Sequence, residues 1–418
     1  MVTKRLYWEN PYDTAFDAVI TRVGFREGDP FMVLDRTLFH PEAGGQPADL
    51  GSIQLISGYP DAFEVTAVLE DGDEVVHVLS VASAPRALWP TLRGRSVRGT
   101  IDWAHRFDMM QQHTGQHILS RAFEKSLGAE TVGFHLGRDY GTIDLDIQKV
   151  SPEALADVER LANQVVFQDD PIVVKEYEAA GLPGDIRSRF AIDAPKIRVV
   201  YIGDYDACPC GGTHVSSAGQ IGLIRVNGVE RAHGGVRVVF RCGWRALADY
   251  RHKESLLAES ARLVSQGLDA VPGAISDMKD KILELEKTVS VMNEILLDRE
   301  IAEMVRQHAD RPPEILIECL QGKEIGDLRV LAKRVSEGIG SPVVFFTVSP
   351  NFQAIVVCPF GGPDARTIVS EIAGVLGGRG GGTPQLAQLG SKEPLGLCER
   401  EAVEAIQTCL RDKGILDR

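Results

Sequence analysis

The sequence predicts an α+β multidomain protein: a small N-terminal β-barrel, a two-layer α/β domain, a helical coiled-coil connector and a C-terminal α/β domain. Three observations predict it. Residues 1–95 hold short Val-, Ile-, Leu- and Phe-rich runs cut by Gly, Pro and Asp, the spacing of a small barrel. Helical periodicity first appears near Asp108, and from there to residue 248 helices and strands are mixed. Residues 249–308 then carry apolar positions in alternating steps of three and four. The expected domains are therefore 1–95, 96–248, 249–308 and 309–418.

In the first of these, strands are expected at Phe16–Val23, Phe31–Leu38, Gly51–Ser57, Phe63–Glu70 and Glu74–Leu79. The segment Gly44-Gly45-Gln46-Pro47 interrupts them and cannot be regular strand, because Gly and Pro break the ladder. Asp108–Leu127 reads as one amphipathic helix stopped by Gly128. Strands follow at Val132–Leu136 and Thr142–Ile147, and Ser-Pro-Glu from Ser151 caps a helix that runs to about Asp169. Further strands near Ile172–Glu176, Ile197–Ile202, Gln220–Val226 and Val236–Arg241 complete one antiparallel sheet with helices on one face.

Gly267–Gly273, with Pro272, splits the connector into two helices. In the second, Ile275, Met278, Ile282, Leu285, Val289, Met292 and Leu296 form an a/d seam that has to be buried. An antiparallel hairpin with the preceding helix or a homodimer through the connector would each bury it, and the dimer is favoured. Beyond the linker at His308–Pro313, strands are expected at Ile315–Cys319, Val343–Val348 and Ala354–Cys358, with helices at Ile325–Glu337, Ala365–Leu376 and Glu399–Lys413. The glycine cluster around Arg379–Gly382 reads as a loop.

Composition narrows the function. A net charge of −14 excludes a general nucleic-acid binder, leaving room only for a local basic groove. Seven scattered cysteines, together with an N-terminus lacking an apolar signal, imply a reducing, cytoplasmic setting, and no apolar stretch is long enough for a membrane partner.

The chemistry concentrates in two motifs, QQHTGQHILS from Gln111 and CPCGGTH from Cys208. Helical spacing puts His113 and His117 on one face, and Cys210 and His214 repeat the four-residue offset. Three imidazoles and a thiolate suit tetrahedral Zn²⁺. Cys208 offers a second thiol, but Pro209 stiffens the link, so Cys210 is the expected ligand. Gln46 and Gln116 are the candidate orienting groups.

HTGQHILS followed by CGGTHV resembles the editing domain of alanyl-tRNA synthetases and the free-standing alanyl-tRNA editing proteins of the AlaX family. LDRTLFHPEAGGQPADLG is similar to the TxFYPxGGGQPxDxG element of those editing regions, with His40 at the usual Tyr and Ala43 at the first glycine. The resemblance implies that Thr37, Gly44, Gly45 and Gln46 line the amino-acid pocket, where the Thr37 hydroxyl recognises that of a misattached serine. It also implies that the strand of His135 runs beside the metal. Gly380, Gly381 and Gly382, led by Arg379, resemble the glycine-rich signature of the DHH-associated domain, which implies a nucleic-acid contact there.

A basic set running from Arg187 and Arg189 through Arg198, Arg225 and Arg237 to Arg245 could hold acceptor-stem phosphates. Met1 stands close to the first barrel strand, so no ATP-dependent aminoacylation domain is expected ahead of it. The resemblance thus implies a zinc-dependent trans-editing deacylase acting on tRNA(Ala) that carries serine or glycine. Two other classes compete: a nucleic-acid phosphoesterase, which would need a DHH triplet the sequence lacks, and a non-catalytic zinc RNA-binding module.

Overall fold

The computed structural model describes residues 2–57, 62–80, 86–178, 181–183, 186, 196–348, 351–391 and 396–417. They fall into two units, Met1–Leu263 and Val264–Arg418. The division lies within the expected connector, and the connector's first helix belongs to the first unit.

The first unit opens with β1 (Lys4–Arg5) and a 3₁₀ turn at Leu6–Trp8. Next come β2 (Ala15–Arg26), β3 (Asp29–Leu34), β4 (Arg36–Thr37), β5 (Gly51–Leu55), β6 (Ala62–Asp71), β7 (Glu74–Leu79) and β8 (Ser96–Ile101). Six of these close on themselves in the order β2-β3-β7-β6-β5-β8. Alternating burial along β8 and the first half of β2 turns Phe16, Ala18, Ile20, Val97 and Ile101 inward, where they join Met32, Leu34 and Phe63 in one core. β1 pairs with β4 outside this ring.

From there the chain forms α1 (Trp103–Leu127), β9 (Thr131–Leu136), β10 (Gly141–Leu145) and α2 (Pro152–Gln168). β11 (Ile172–Glu178), β12 (Lys196–Ile202), β13 (Asp206–Pro209), β14 (Ile224–Ala232), β15 (Gly235–Cys242) and α3 (Gly243–Leu263) complete the unit. Asp102 caps α1 by accepting the His105 amide, and Gly128 ends it in the left-handed region. Ser151 caps α2 in the same way.

The single expected sheet is in fact two, β14-β15-β10-β9 and β11-β12-β13. Gln220 belongs to a 3₁₀ turn at Ala218–Ile221 rather than to a strand, and β13 escaped the sequence reading. Met110, Ile118, Leu119 and Phe123 of α1 pack with Val158 and Val165 of α2 and with Ile143, Val238 and Phe240 of the sheet. Arg106, fully buried in α1, ties the helix to the barrel: its guanidinium binds both oxygens of Asp49 and donates to the carbonyls of Leu38 and Pro11.

The second unit holds α4 (Val271–His308), β16 (Leu316–Cys319), α5 (Ile325–Ile339), β17 (Val343–Thr347), β18 (Gln353–Val357), α6 (Ala365–Leu376), β19 (Arg379–Gly382), β20 (Leu386–Gly390) and α7 (Glu399–Asp412). The sheet order is β16-β17-β18-β20-β19. Successive residues of β17 serve opposite faces: Val343 and Phe345 pack with α4 and α5, whereas Val344 and Phe346 pack with α6 and α7. Pro272 lies in the first turn of α4, where a missing amide costs nothing, rather than in the break between helices.

The expected loop at Arg379–Gly382 is a strand. A Cβ on Gly380 would lie 2.3 Å from the Gln388 carbonyl oxygen, so glycine is what allows the close approach to β20. The a/d residues of α4, Ile275 to Leu296, are each 51–61% exposed in the single chain. Among the described residues, no helix is long and apolar enough to cross a membrane.

Candidate metal centre and the cavity beside it

His113 and His117 project from the buried stretch of α1, and Cys210 and His214 from the turn that follows β13. One ligand atom from each lies within 4.8 Å of all the others. Nε2 of His113 is 3.5 Å from Cys210 Sγ, and Nε2 of His214 is 3.3 Å from it. A tetrahedral zinc with Zn–S of about 2.3 Å and Zn–N of about 2.0–2.1 Å sets those atoms about 3.5 Å apart. The donor set therefore fits such an ion in kind, and the two distances to Cys210 Sγ fit it in spacing.

The surrounding residues fix which nitrogen is free. Gln46 Nε2 donates to Thr213 Oγ1 at 2.8 Å, and Gln46 Oε1 accepts the Thr213 amide at 3.0 Å. With the amide so oriented, Oε1 can only accept from His113 Nδ1–H, 2.8 Å away, which leaves Nε2 with its lone pair. His214 is held by a different residue. Thr114 donates its hydroxyl hydrogen to the Met110 carbonyl, so its oxygen accepts from His214 Nδ1–H at 3.1 Å.

Burial, with the neighbouring imidazoles, holds His113 and His214 well below the usual histidine range, so both are neutral and able to ligate. Burial also pushes the Cys210 thiol up, against the pull of the Gly212 amide and the Arg198 guanidinium. Arg198 braces the same turn by donating to the carbonyls of Cys210 (3.1 Å) and Gly212 (2.7 Å).

Glycine is required at two places. Gly44 and Gly45 both have positive φ, 56° and 79°, in the tight turn from Ala43 to Gln46 that aims Gln46 at His113. At Gly212 a Cβ would come within 2.2 Å of the His113 ring and 2.6 Å of Gln46 Oε1.

A cavity of about 570 Å³ adjoins this cluster and is lined by His113, His117 and Cys210. Gly44, Gly45 and Gln116 line it as expected, whereas Gln46 acts from behind His113. The Gln116 amide donates to Ser120 Oγ at 2.9 Å, and Ser120 accepts from Thr131 at 2.8 Å, forming one polar wall.

Two expectations for the cavity are corrected. Thr37 does not line it: the residue is fully buried in the barrel, its hydroxyl 2.8 Å from His77 Nε2 and accepting the Phe39 amide at 3.0 Å. The strand of His135 does run beside the donor cluster, whereas His135 itself is exposed and absent from the lining. Strand alternation turns its neighbour Phe134 inward instead, where it stacks on His113 with centroids 5.9 Å apart.

The basic set is largely committed elsewhere. Arg237 is gripped by both oxygens of Asp144, at 2.7 and 2.8 Å, so it is not a free phosphate ligand. Arg198 serves the turn that carries Cys210, and Arg187 and Arg189 lie outside the described residues. Arg379, Gly380, Gly381 and Gly382 are exposed on the edge strand β19. The sequence reading missed Thr114, Phe134 and Thr213 and gave Arg198 a different role, because their roles depend on partners remote along the chain.

Residues 197–239 match the family described as threonyl and alanyl tRNA synthetase second additional domain, and residues 313–412 match the DHHA1 domain. An alanyl-tRNA editing protein, AlaX-L of Pyrococcus horikoshii, is 30% identical over 406 residues, covering 93% of this chain and 94% of its own length. An alanine–tRNA ligase of Methanoregula boonei is 31% identical over 424 residues, 94% of this chain but 42% of the ligase. Among solved structures, the C-Ala domain of Aquifex aeolicus alanyl-tRNA synthetase aligns with 23% of this chain and 89% of its own at 22% identity and a TM-score of 0.21.

Proposed function

The chain belongs to the alanyl-tRNA editing protein family, and from that premise we propose that it hydrolyses the ester of tRNA(Ala) misacylated with serine or glycine, acting in trans. The observation that carries this reading is the four-residue donor set opening on a cavity, with two of its imidazoles held as Nε2 donors by Gln46 and Thr114. We take the ion to be Zn²⁺, held by His113, His117, Cys210 and His214. When bound, such an ion polarises a carbonyl or lowers the pKa of water.

The rest follows from the protein's own groups. An aminoacyl ester is already activated, so ATP is not needed and the task reduces to placing the ester carbonyl and one attacking water. Gln116, Ser120 and Thr131 offer hydrogen-bonding groups along one wall for the polar atoms of the aminoacyl group. Phe134 covers one side of His113 and limits access to the ring. Gln46 and Thr114 hold the imidazoles before substrate arrives, so no reorientation is required on binding.

For the rest of the RNA, Arg379 and Gly380–Gly382 on exposed β19 are the proposed contacts in the second unit. The exposed a/d seam of α4 supports a homodimer through that helix.

The test is incubation of the purified protein with Ser-tRNA(Ala), Gly-tRNA(Ala) and Ala-tRNA(Ala), with and without a chelator. Chelator-sensitive release of serine or glycine, with Ala-tRNA(Ala) spared, is expected. Intact Ser-tRNA(Ala) and Gly-tRNA(Ala) after incubation with metal-loaded protein would end the proposal.

A further inference from the structure

We propose that Trp8 is a stacking platform for the terminal nucleobase of the RNA substrate, forming with Arg5 a nucleoside subsite at the cavity beside the metal centre. The inference rests on the deacylase reading and adds to it the place where the RNA end is held.

Trp8 is half-buried at the end of the 3₁₀ turn Leu6–Trp8. Its indole Nε1–H donates to the Gly211 carbonyl at 2.9 Å, one residue beyond Cys210 in the metal turn. The ring is therefore referenced directly to the turn that carries a ligand. On one side the Arg5 guanidinium carbon sits 4.8 Å from the indole centroid, and Arg5 is itself anchored by Glu70 at 3.0 Å. The Tyr7 ring meets the indole edge-on, 5.6 Å away at 72°. An aromatic plane fixed in this way loses little freedom when a flat group stacks on it.

The substrate's chemistry says what that group would be. An aminoacyl ester is carried on a ribose oxygen, and the base is attached to the same ring. Wherever the ester is placed at the donor set, the base therefore lies one sugar away. The cavity, at about 570 Å³, extends well past the donor set to Arg5, Trp8 and Glu70, more room than a seryl group needs. The other aromatic lining residues are already engaged, since Tyr7 is fully buried and Phe134 stacks on His113. Trp8 also lines the cavity with Arg5 against one side of its ring, and the base is assigned to the other side. Stacking serves any base, so this contact gives affinity and position, and base identity must be read elsewhere.

The test uses a serine amide of 3′-amino-3′-deoxyadenosine, which keeps the nucleoside and cannot be hydrolysed as an ester. Its Kd is measured by calorimetry on metal-loaded wild type, Trp8→Ala and Trp8→Phe, with metal content confirmed for each. Trp8→Ala is expected to weaken binding about 5- to 150-fold, the range of one base–aromatic stack, and to raise KM for Ser-tRNA(Ala) more than it lowers kcat. Trp8→Phe keeps the ring face and loses the N–H, so it should recover most of the affinity. Unchanged affinity in Trp8→Ala would overturn the subsite. So would equal damage in both variants, which would reduce Trp8 to a prop for Gly211. Wild type that binds the amide yet leaves Ser-tRNA(Ala) intact would instead remove the deacylase reading and leave the subsite standing.

Discussion

Oε1 of Gln46 lies 2.8 Å from Nδ1 of His113, and the same oxygen accepts the Thr213 amide. One side chain from a loop of the barrel thus determines which nitrogen a helix residue offers to the centre. Replacing Gln46 with Leu should leave the ligand set complete yet lower metal affinity about 10- to 100-fold, the usual cost of losing such a partner. Competition with a chromophoric chelator measures it. Affinity equal to wild type would mean that His113 is oriented by packing alone.

The two thiols of the CPC segment should behave differently. Cys210 belongs to the cluster of ligand atoms, whereas Cys208 lies on β13 outside that cluster, although its residue lines the cavity. Cys210→Ala should lose both bound metal and deacylation, and Cys208→Ala should keep most of both. Elemental analysis of the purified variants decides it, and matching losses would show that the wrong sulfur has been assigned.

Thr37 should affect stability rather than selectivity. Its hydroxyl is shared between His77 and the Phe39 amide inside the barrel. Thr37→Val leaves two buried groups short of a partner, a cost of about 1–3 kcal/mol in chemical denaturation. The ratio of serine to alanine release should not move. A changed ratio would return Thr37 to the pocket.

His77 gives the barrel a dependence on pH. Burial lowers its pKa to about 4, against the pull of the Met32 carbonyl, from an ordinary 6.5. The folded state holds it neutral, so as pH falls below 6.5 the unfolded chain takes up a proton that the folded chain refuses. Stability is complete above 6.5 and declines down to about 4, by roughly 3 kcal/mol from this residue. Urea denaturation of wild type and His77→Asn at several pH values isolates the contribution. The variant's slope should be the shallower over that window, and parallel slopes would sink the assignment.

What could be read from the sequence follows from where the signals lie. His113 and His117 share a helix face, and Cys210 and His214 share a turn, so each pair is local and visible in the spacing. Joining the pairs rested on donor chemistry, three imidazoles and a thiolate suiting one ion, because nothing local says that residues 97 apart in sequence meet. The partners of those ligands were harder still. Thr114 and Thr213 look like ordinary helix and turn residues until His214 and Gln46 are set beside them.

Thr37 misled for a similar reason, since the group that occupies its hydroxyl is His77, forty residues later. β13 was missed because DACP is too short to alternate, and β19 because RGGG has no side-chain pattern, although a backbone ladder needs none. The helices were read more closely: α6 has the expected bounds, and α1 starts five residues before them.

The separation of His113 from Cys210 also has a consequence for folding. An ion shared by them acts as a removable cross-link that closes a long loop, and a closure of that length takes about 4–5 kcal/mol of chain entropy from the unfolded ensemble. Stripping the ion should therefore lower the melting temperature of Met1–Leu263 and leave that of Val264–Arg418 where it was, so that one calorimetric trace parts into two.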